Sequence, residues 1–297
     1  MELPTMNILA ESVNRVASHF DEKLLEGLSV VLTDHKGIYA SIDRFEFPRL
    51  QVSSVTIEFI SQFAEADGKK FSVFDALDWL VMHELQHLRL GHFELGFVFD
   101  VAQRAKTQSW KVANVIPEKA YRVSQCIEMQ ADHEAISYSL GSYLENSWSE
   151  MRKKIAAISA MMVLIEREDA VIKSAEKTHP KAATRIFQLL CHVAEMPLIK
   201  AHLENDPSVL PTANKIERFG KEVTLPCYFD ALRLAEVGGA MSIQADLGAP
   251  QDFFADMELV KLGQPHRYSY LRTEGAKEWV TLWKCNEMLK TTMQAFT

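Results

Sequence analysis

The run from Ser72 to Gly91, SVFDALDWLVMHELQHLRLG, constrains this chain more than any other segment. Ser72 and Asp75 resemble a capping box, and Phe74, Leu77, Val81, Leu85 and Leu88 recur at helical spacing. Gly91 is a stop signal. With Trp79 and Leu80 added, the helix is apolar over most of its circumference and has to be largely buried. It nevertheless carries His83, Glu84 and His87. Buried polar groups need partners, so the fold must bring such partners to this helix.

His83 and His87 are four residues apart and project from one helix face. Two imidazoles on a rigid helix supply half of a tetrahedral Zn²⁺ site, and Glu84 beside them can accept a proton from a water there. A catalytic zinc needs a third protein ligand and one open position. Glu128, forty-one positions after His87 in EMQAD, is the best candidate. Asp132 lies one turn further along, placed to accept from the outer nitrogen of a ligating histidine. Ala131 would allow two helices to approach closely. Taken alone, Glu128 and Asp132 read as a solvated acidic face; following the two histidines at this distance, the ligand role is favoured.

Thr178-His179-Pro180, followed by Arg185, is a third element. His179 and Arg185 could stabilise a developing oxyanion, and His179 could instead take the fourth zinc position. A helix cap with a surface ion pair is the alternative. His92 follows His87 by five residues, off the metal-facing stripe, and reads as a structural residue at the helix end. His133 and Glu134 are also left outside the ligand set.

The net charge of −8 disfavours nonspecific nucleic-acid binding, which needs a basic surface. The N-terminus lacks a secretory signal pattern, and the longest apolar stretch, Ile155 to Ile165, is too short to span a bilayer. The expectation is therefore a cytoplasmic protein free of the membrane. Cys126, Cys191, Cys227 and Cys285 are widely spaced and form no CxxC pair, as expected of reduced, mostly buried thiols.

The expected fold class is α+β and mostly helical, with a small N-terminal β-sheet packed on the helix that carries His83. A first helix is expected over 6–19, then strands over Leu28 to Thr33, Ile38 to Phe47 and Leu50 to Ile60, the last two interrupted by Pro48. Later helices are expected from Pro117 to Leu140, Ser147 to Ala175 and Lys181 to Ala194. Residues 1–196 read as the domain carrying the chemistry. Residues 197–297 read as a mainly helical region that completes the core or recognises a substrate.

Taken together, HELQHLRLGH, EMQAD and THP with Arg185 resemble the gluzincin pattern of the CAAX-prenyl-type membrane peptidases. A closer resemblance is to the soluble Lit-type phage-exclusion peptidases, which carry HExxH, a READ-like segment and THPxxxxRI. That similarity runs from about Leu50 to Ile186, roughly half the chain. The ImmA/IrrE group shares the HELxHxxLxH pattern but generally lacks the THP element. The resemblance implies a zincin-like peptidase with zinc held by His83, His87 and Glu128, and with Glu84 as general base. It implies supporting roles for Asp132, His179 and Arg185, and a host factor cleaved during phage infection.

The leading expectation is thus a zinc endopeptidase acting on a protein substrate, which would pair with an edge strand from Val52 to Ile60. One alternative is a zinc-stabilised regulatory or binding module without turnover, its fourth position closed by His179. Another is a metal-free helical interaction protein.

Overall fold

The computed structural model describes residues 2–44, 46–93, 120–171, 179–261 and 263–293. The expected helix start at Pro117, the helix end near Ala175, and Thr178 lie outside these residues.

The chain begins with α1 (Glu2–Ala17), starting and ending slightly earlier than expected. Three short strands follow: β1 (Ser29–Thr33), β2 (Ala40–Arg44) and β3 (Pro48–Ser53). The sheet order is β1-β3-β2, with β3 parallel to β1 and antiparallel to β2. Pro48 does not interrupt a strand but begins one. It pairs only with Arg44 at the end of β2, before the β1 pairing starts at Arg49, and a first strand residue can dispense with its N–H.

The expected strand over Leu50 to Ile60 is corrected at its midpoint. Ser53 ends β3 and caps α2 (Ser54–Ala66), its hydroxyl accepting from the Val55 N–H at 3.2 Å. Ile57, Ile60, Phe63 and Ala64 then bury one helical face. β3 is flanked on both sides, so the segment from Val52 to Ile60 offers no strand edge to a substrate. The strand exposing an edge near the site is β2, for among the described residues no strand pairs with its outer side.

The central helix is α3 (Val73–Arg89), whose cap is the expected one: the Ser72 hydroxyl accepts from the Asp75 N–H at 3.3 Å. It packs against α1, α2 and β2, and against α4 (Ala120–Leu140) and α5 (Trp148–Val171). The sheet therefore does rest on this helix, through β2. Leu77, Trp79, Val81 and Leu85 are fully enclosed.

α6 (Ala182–Glu204) runs ten residues past the expected end at Ala194 and passes through residue 196. Pro197 lies inside it; a proline there removes one backbone bond, and burial of Met196, Pro197 and Ala201 offsets that loss. The helix ends at Asn205 in the left-handed region, φ 48°.

Beyond it come α7 (Ala213–Phe219), which continues through a π-helical turn at Gly220–Thr224 into α8 (Leu225–Val237). α9 (Met241–Leu247), α10 (Pro250–Lys261) and α11 (Glu274–Met293) follow. One hydrophobic cluster extends from Leu9 through Trp79 and Phe187 to Tyr228, Phe253 and Val280. α11 packs on α4 and α6. Gly275 makes its approach to α6 possible, since a Cβ there would stand 3.0 Å from the Ala183 carbonyl oxygen. A smaller cluster of Val123, Cys126, Cys285 and Leu289 joins α4 to α11.

The fold is mostly helical with a small sheet, an α+β arrangement. No described helix is long and apolar enough to cross a membrane. All four cysteines are buried and form no disulfide.

Candidate metal centre

Helical periodicity on α3 and α4 builds the site. His83 and His87 lie one turn apart on α3, and their Nε2 atoms are 3.2 Å from each other. Glu128 reaches across from α4, with Oε2 3.1 Å from His83 Nε2 and Oε1 3.7 Å from His87 Nε2. One ligand atom from each of the three residues falls within a 4.8 Å group, and no other such group occurs among the described residues. Ala131, fully buried, lies between Glu128 and Asp132 on α4, the helix that packs against α3.

Two nitrogens and a carboxylate oxygen are a donor set that suits a divalent transition metal. The electrostatics agree with a cation at this point. Burial presses His83 towards the neutral form, yet the adjacent Asp132 and Glu128 carboxylates lift it to about 10. A proton on His83 thus supplies the positive charge these two carboxylates demand, and a bound metal would supply the same charge. His87 behaves oppositely: burial holds it down to about 3, and the neutral ring is the ligating form. Glu128 is held well below the usual carboxylate range, against its own desolvation, by the surrounding histidines, of which the protonated His83 donates to it.

The outer nitrogen of each histidine has a partner. His83 Nδ1 stands 2.9 Å from Asp132 Oδ1, at ion-pair distance although off the hydrogen-bond optimum. His87 Nδ1 lies 2.8 Å from Nδ1 of His92. Asp132 is held at about 2 because Arg185 and His83 outweigh its burial.

Arg185 occupies a different place from the one expected. It is 1% exposed, and Nε and Nη2 donate to the two Asp132 oxygens at 2.7 and 2.8 Å. Its guanidinium also lies over the Trp79 ring, 5.5 Å from the centroid. It does not line the cleft beside the histidines. Arg185 thus holds the carboxylate that stands behind His83.

His179 does line that cleft, which has a volume of about 520 Å³ and also exposes Glu84, Tyr39, Ala40 and Ile42. His179 Nε2 is 3.8 Å from Glu128 Oε2. Asp169 on α5 holds its other nitrogen at 3.2 Å, and Gln125 donates to its backbone oxygen at 3.2 Å. Glu84 is buried beside His83, and desolvation, with Glu128 adding to it, raises its carboxyl to about 7.

Asp169 and His92 take positions that local sequence patterns do not signal. Asp169 sits in the charged run Glu166-Arg167-Glu168-Asp169, which reads as a solvated helix end and gives no signal of a partner. By its five-residue spacing from His87 on a continuing helix, His92 would fall off the metal-facing stripe. Instead α3 ends at Arg89 and Gly91 takes φ 68°, and His92 lies buried against His87. His133 and Glu134 do stand apart from the three ligand atoms. They face a second cavity of about 780 Å³ on the other side of α4, together with His192, Trp283 and Asn286.

No curated protein and no solved structure matches the chain. Residues 70–198, which carry every polar residue of this centre from His83 to Arg185, match the family model described as Peptidase U49, so this part of the chain is similar to a family of peptidases.

Proposed function

We propose that this chain is a zinc-dependent endopeptidase with a zincin-like site, in which His83, His87 and Glu128 hold the metal. The observation that carries this reading is the convergence of those three side chains within 4.8 Å, with Glu84 buried beside them. When bound, zinc lowers the pKa of water and polarises the scissile carbonyl.

The protein's own groups do the rest. Glu84 accepts the proton of the attacking water and passes it to the leaving amine. His179, steadied by Asp169, donates to the oxyanion from the cleft wall. Asp132 keeps the inner nitrogen of His83 directed at the metal, and Arg185 keeps Asp132 in place.

The substrate would run along the outer edge of β2. Ser53 N–H bonds to Tyr39 O at 2.9 Å, so antiparallel alternation turns the backbone groups of Tyr39, Ser41 and Asp43 towards β3. Those of Ala40 and Ile42 then face outward, beside the cleft, where an extended peptide can pair with them. The resemblance to Lit-type peptidases makes a host protein cut in a phage-exclusion or cell-death response the natural substrate class.

Purified protein is expected to hold about one zinc per chain. A chelator should remove both the zinc and the peptidase activity, and added zinc should restore both. Full cleavage by zinc-stripped protein would refute the reading.

A further inference from the structure

The metal ligands are backed on two sides by different devices. Behind His83 stands a carboxylate, Asp132, itself clamped by Arg185. Behind His87, among the described residues, stands an imidazole instead of a carboxylate. Nδ1 of His87 meets Nδ1 of His92 at 2.8 Å, and Nε2 of His92 meets Oε1 of Gln130 at 3.0 Å. The Gln130 side-chain amide then donates to Asn286 Oδ1 on α11.

The direction of this chain can be worked out from its ends. Gln130 gives its NH₂ to Asn286, so its oxygen is the atom facing His92. An oxygen only accepts, so His92 carries its proton on Nε2. In the neutral His92 ring Nδ1 is then an acceptor, and the proton between the two histidines belongs to His87 Nδ1. A neutral His87 protonated on Nδ1 has its lone pair on Nε2, the nitrogen that faces His83 and Glu128.

We infer that His92 is a positioning residue that selects the metal-ligating tautomer of His87, with Gln130 and Asn286 anchoring it to the C-terminal helix α11. This rests on the reading of His83, His87 and Glu128 as metal ligands. It gives α11 a part in the centre although none of its described side chains lines the cleft.

The test uses the full-length protein loaded with Co²⁺, whose d–d absorption reports ligand geometry, with affinity measured by chelator competition. Partners that orient a ligating histidine typically contribute 10–100-fold in metal affinity. His92→Phe should therefore weaken Co²⁺ binding by about 10–100-fold and change the absorption band. His92→Gln, which can still accept from His87 and donate to Gln130, should recover most of the affinity. Gln130→Glu keeps the acceptor and should bind like wild type, whereas Gln130→Leu should bind more weakly.

If His92→Phe does not fold, the Gln130 pair decides the matter alone. Equal affinity and an unchanged band in both His92→Phe and Gln130→Leu would overturn the positioning role while leaving the metal site standing. Equal affinity in Gln130→Leu alone would overturn it where His92→Phe is unfolded. A wild-type protein that binds no Co²⁺ would overturn both.

Discussion

Asp132 and Arg185 form a two-point ion pair inside the protein, with Nε and Nη2 of the arginine 2.7 and 2.8 Å from the two carboxylate oxygens. Neither side chain has measurable access to water beyond 1%. Breaking such a pair from one side leaves a buried charge without its counterion, which typically costs about 3–5 kcal/mol. Arg185→Leu should destabilise the fold by about that amount in urea denaturation. Arg185→Lys should not restore it, because an ammonium cannot reproduce the planar two-point geometry.

His179 and Asp169 make a separable prediction. His179→Gln should lower kcat by about 10²–10³-fold while leaving the zinc content at wild-type level, the pattern of a lost oxyanion donor. Asp169→Asn should show a smaller loss in the same direction. Zinc content measured alongside kcat separates this from a ligand role, for a His179 variant that lost its metal would place that residue in the coordination sphere.

Much of this centre was legible from residue types and spacing. The cap at Ser72, the apolar repeat and the stop at Gly91 define α3, and the histidines follow from its periodicity. Helix periodicity on α4 then relates Asp132 to Glu128. The boundary between β3 and α2 was hidden because Val52, Val55, Thr56 and Ile57 are all β-branched, and strand preference masked a serine cap at Ser53. The His87–His92 contact was hidden because it depends on a chain reversal at Gly91. Asp169 and Arg185 owe their places to packing between α5, α4 and α6, which no local pattern encodes.

The outer edge of β2 can be probed with proline. Ala40 does not spend its N–H on β3, so Ala40→Pro should leave the sheet intact and remove one bond to an extended substrate. The expected result is an increase in KM with little change in kcat, the signature of lost uniform binding. An Ala40→Pro protein with unchanged KM would argue that the substrate does not use this edge.

His192 should give stability a visible pH dependence. Burial, and then the neighbouring His133 ring 5.5 Å away, hold it down to about 4. Its value in the unfolded chain is about 6.5. Between these two values the unfolded chain binds the extra proton, so stability falls as pH drops from about 6.5 towards 4 and returns as pH rises. The full effect is on the order of 3 kcal/mol. His192→Leu should flatten that part of the stability–pH curve, measured by denaturant titration between pH 4 and pH 7.

The most direct measurement is made in cells expressing either wild type or Glu84→Gln, with the proteome compared by mass spectrometry and the zinc content of each purified protein determined. Glu84 touches the reaction but is not among the three ligands, so the variant should keep about one zinc and lose cleavage. The account predicts at least one host protein cut only in cells carrying the wild type. The same cleavage products at the same rate with Glu84→Gln would contradict it.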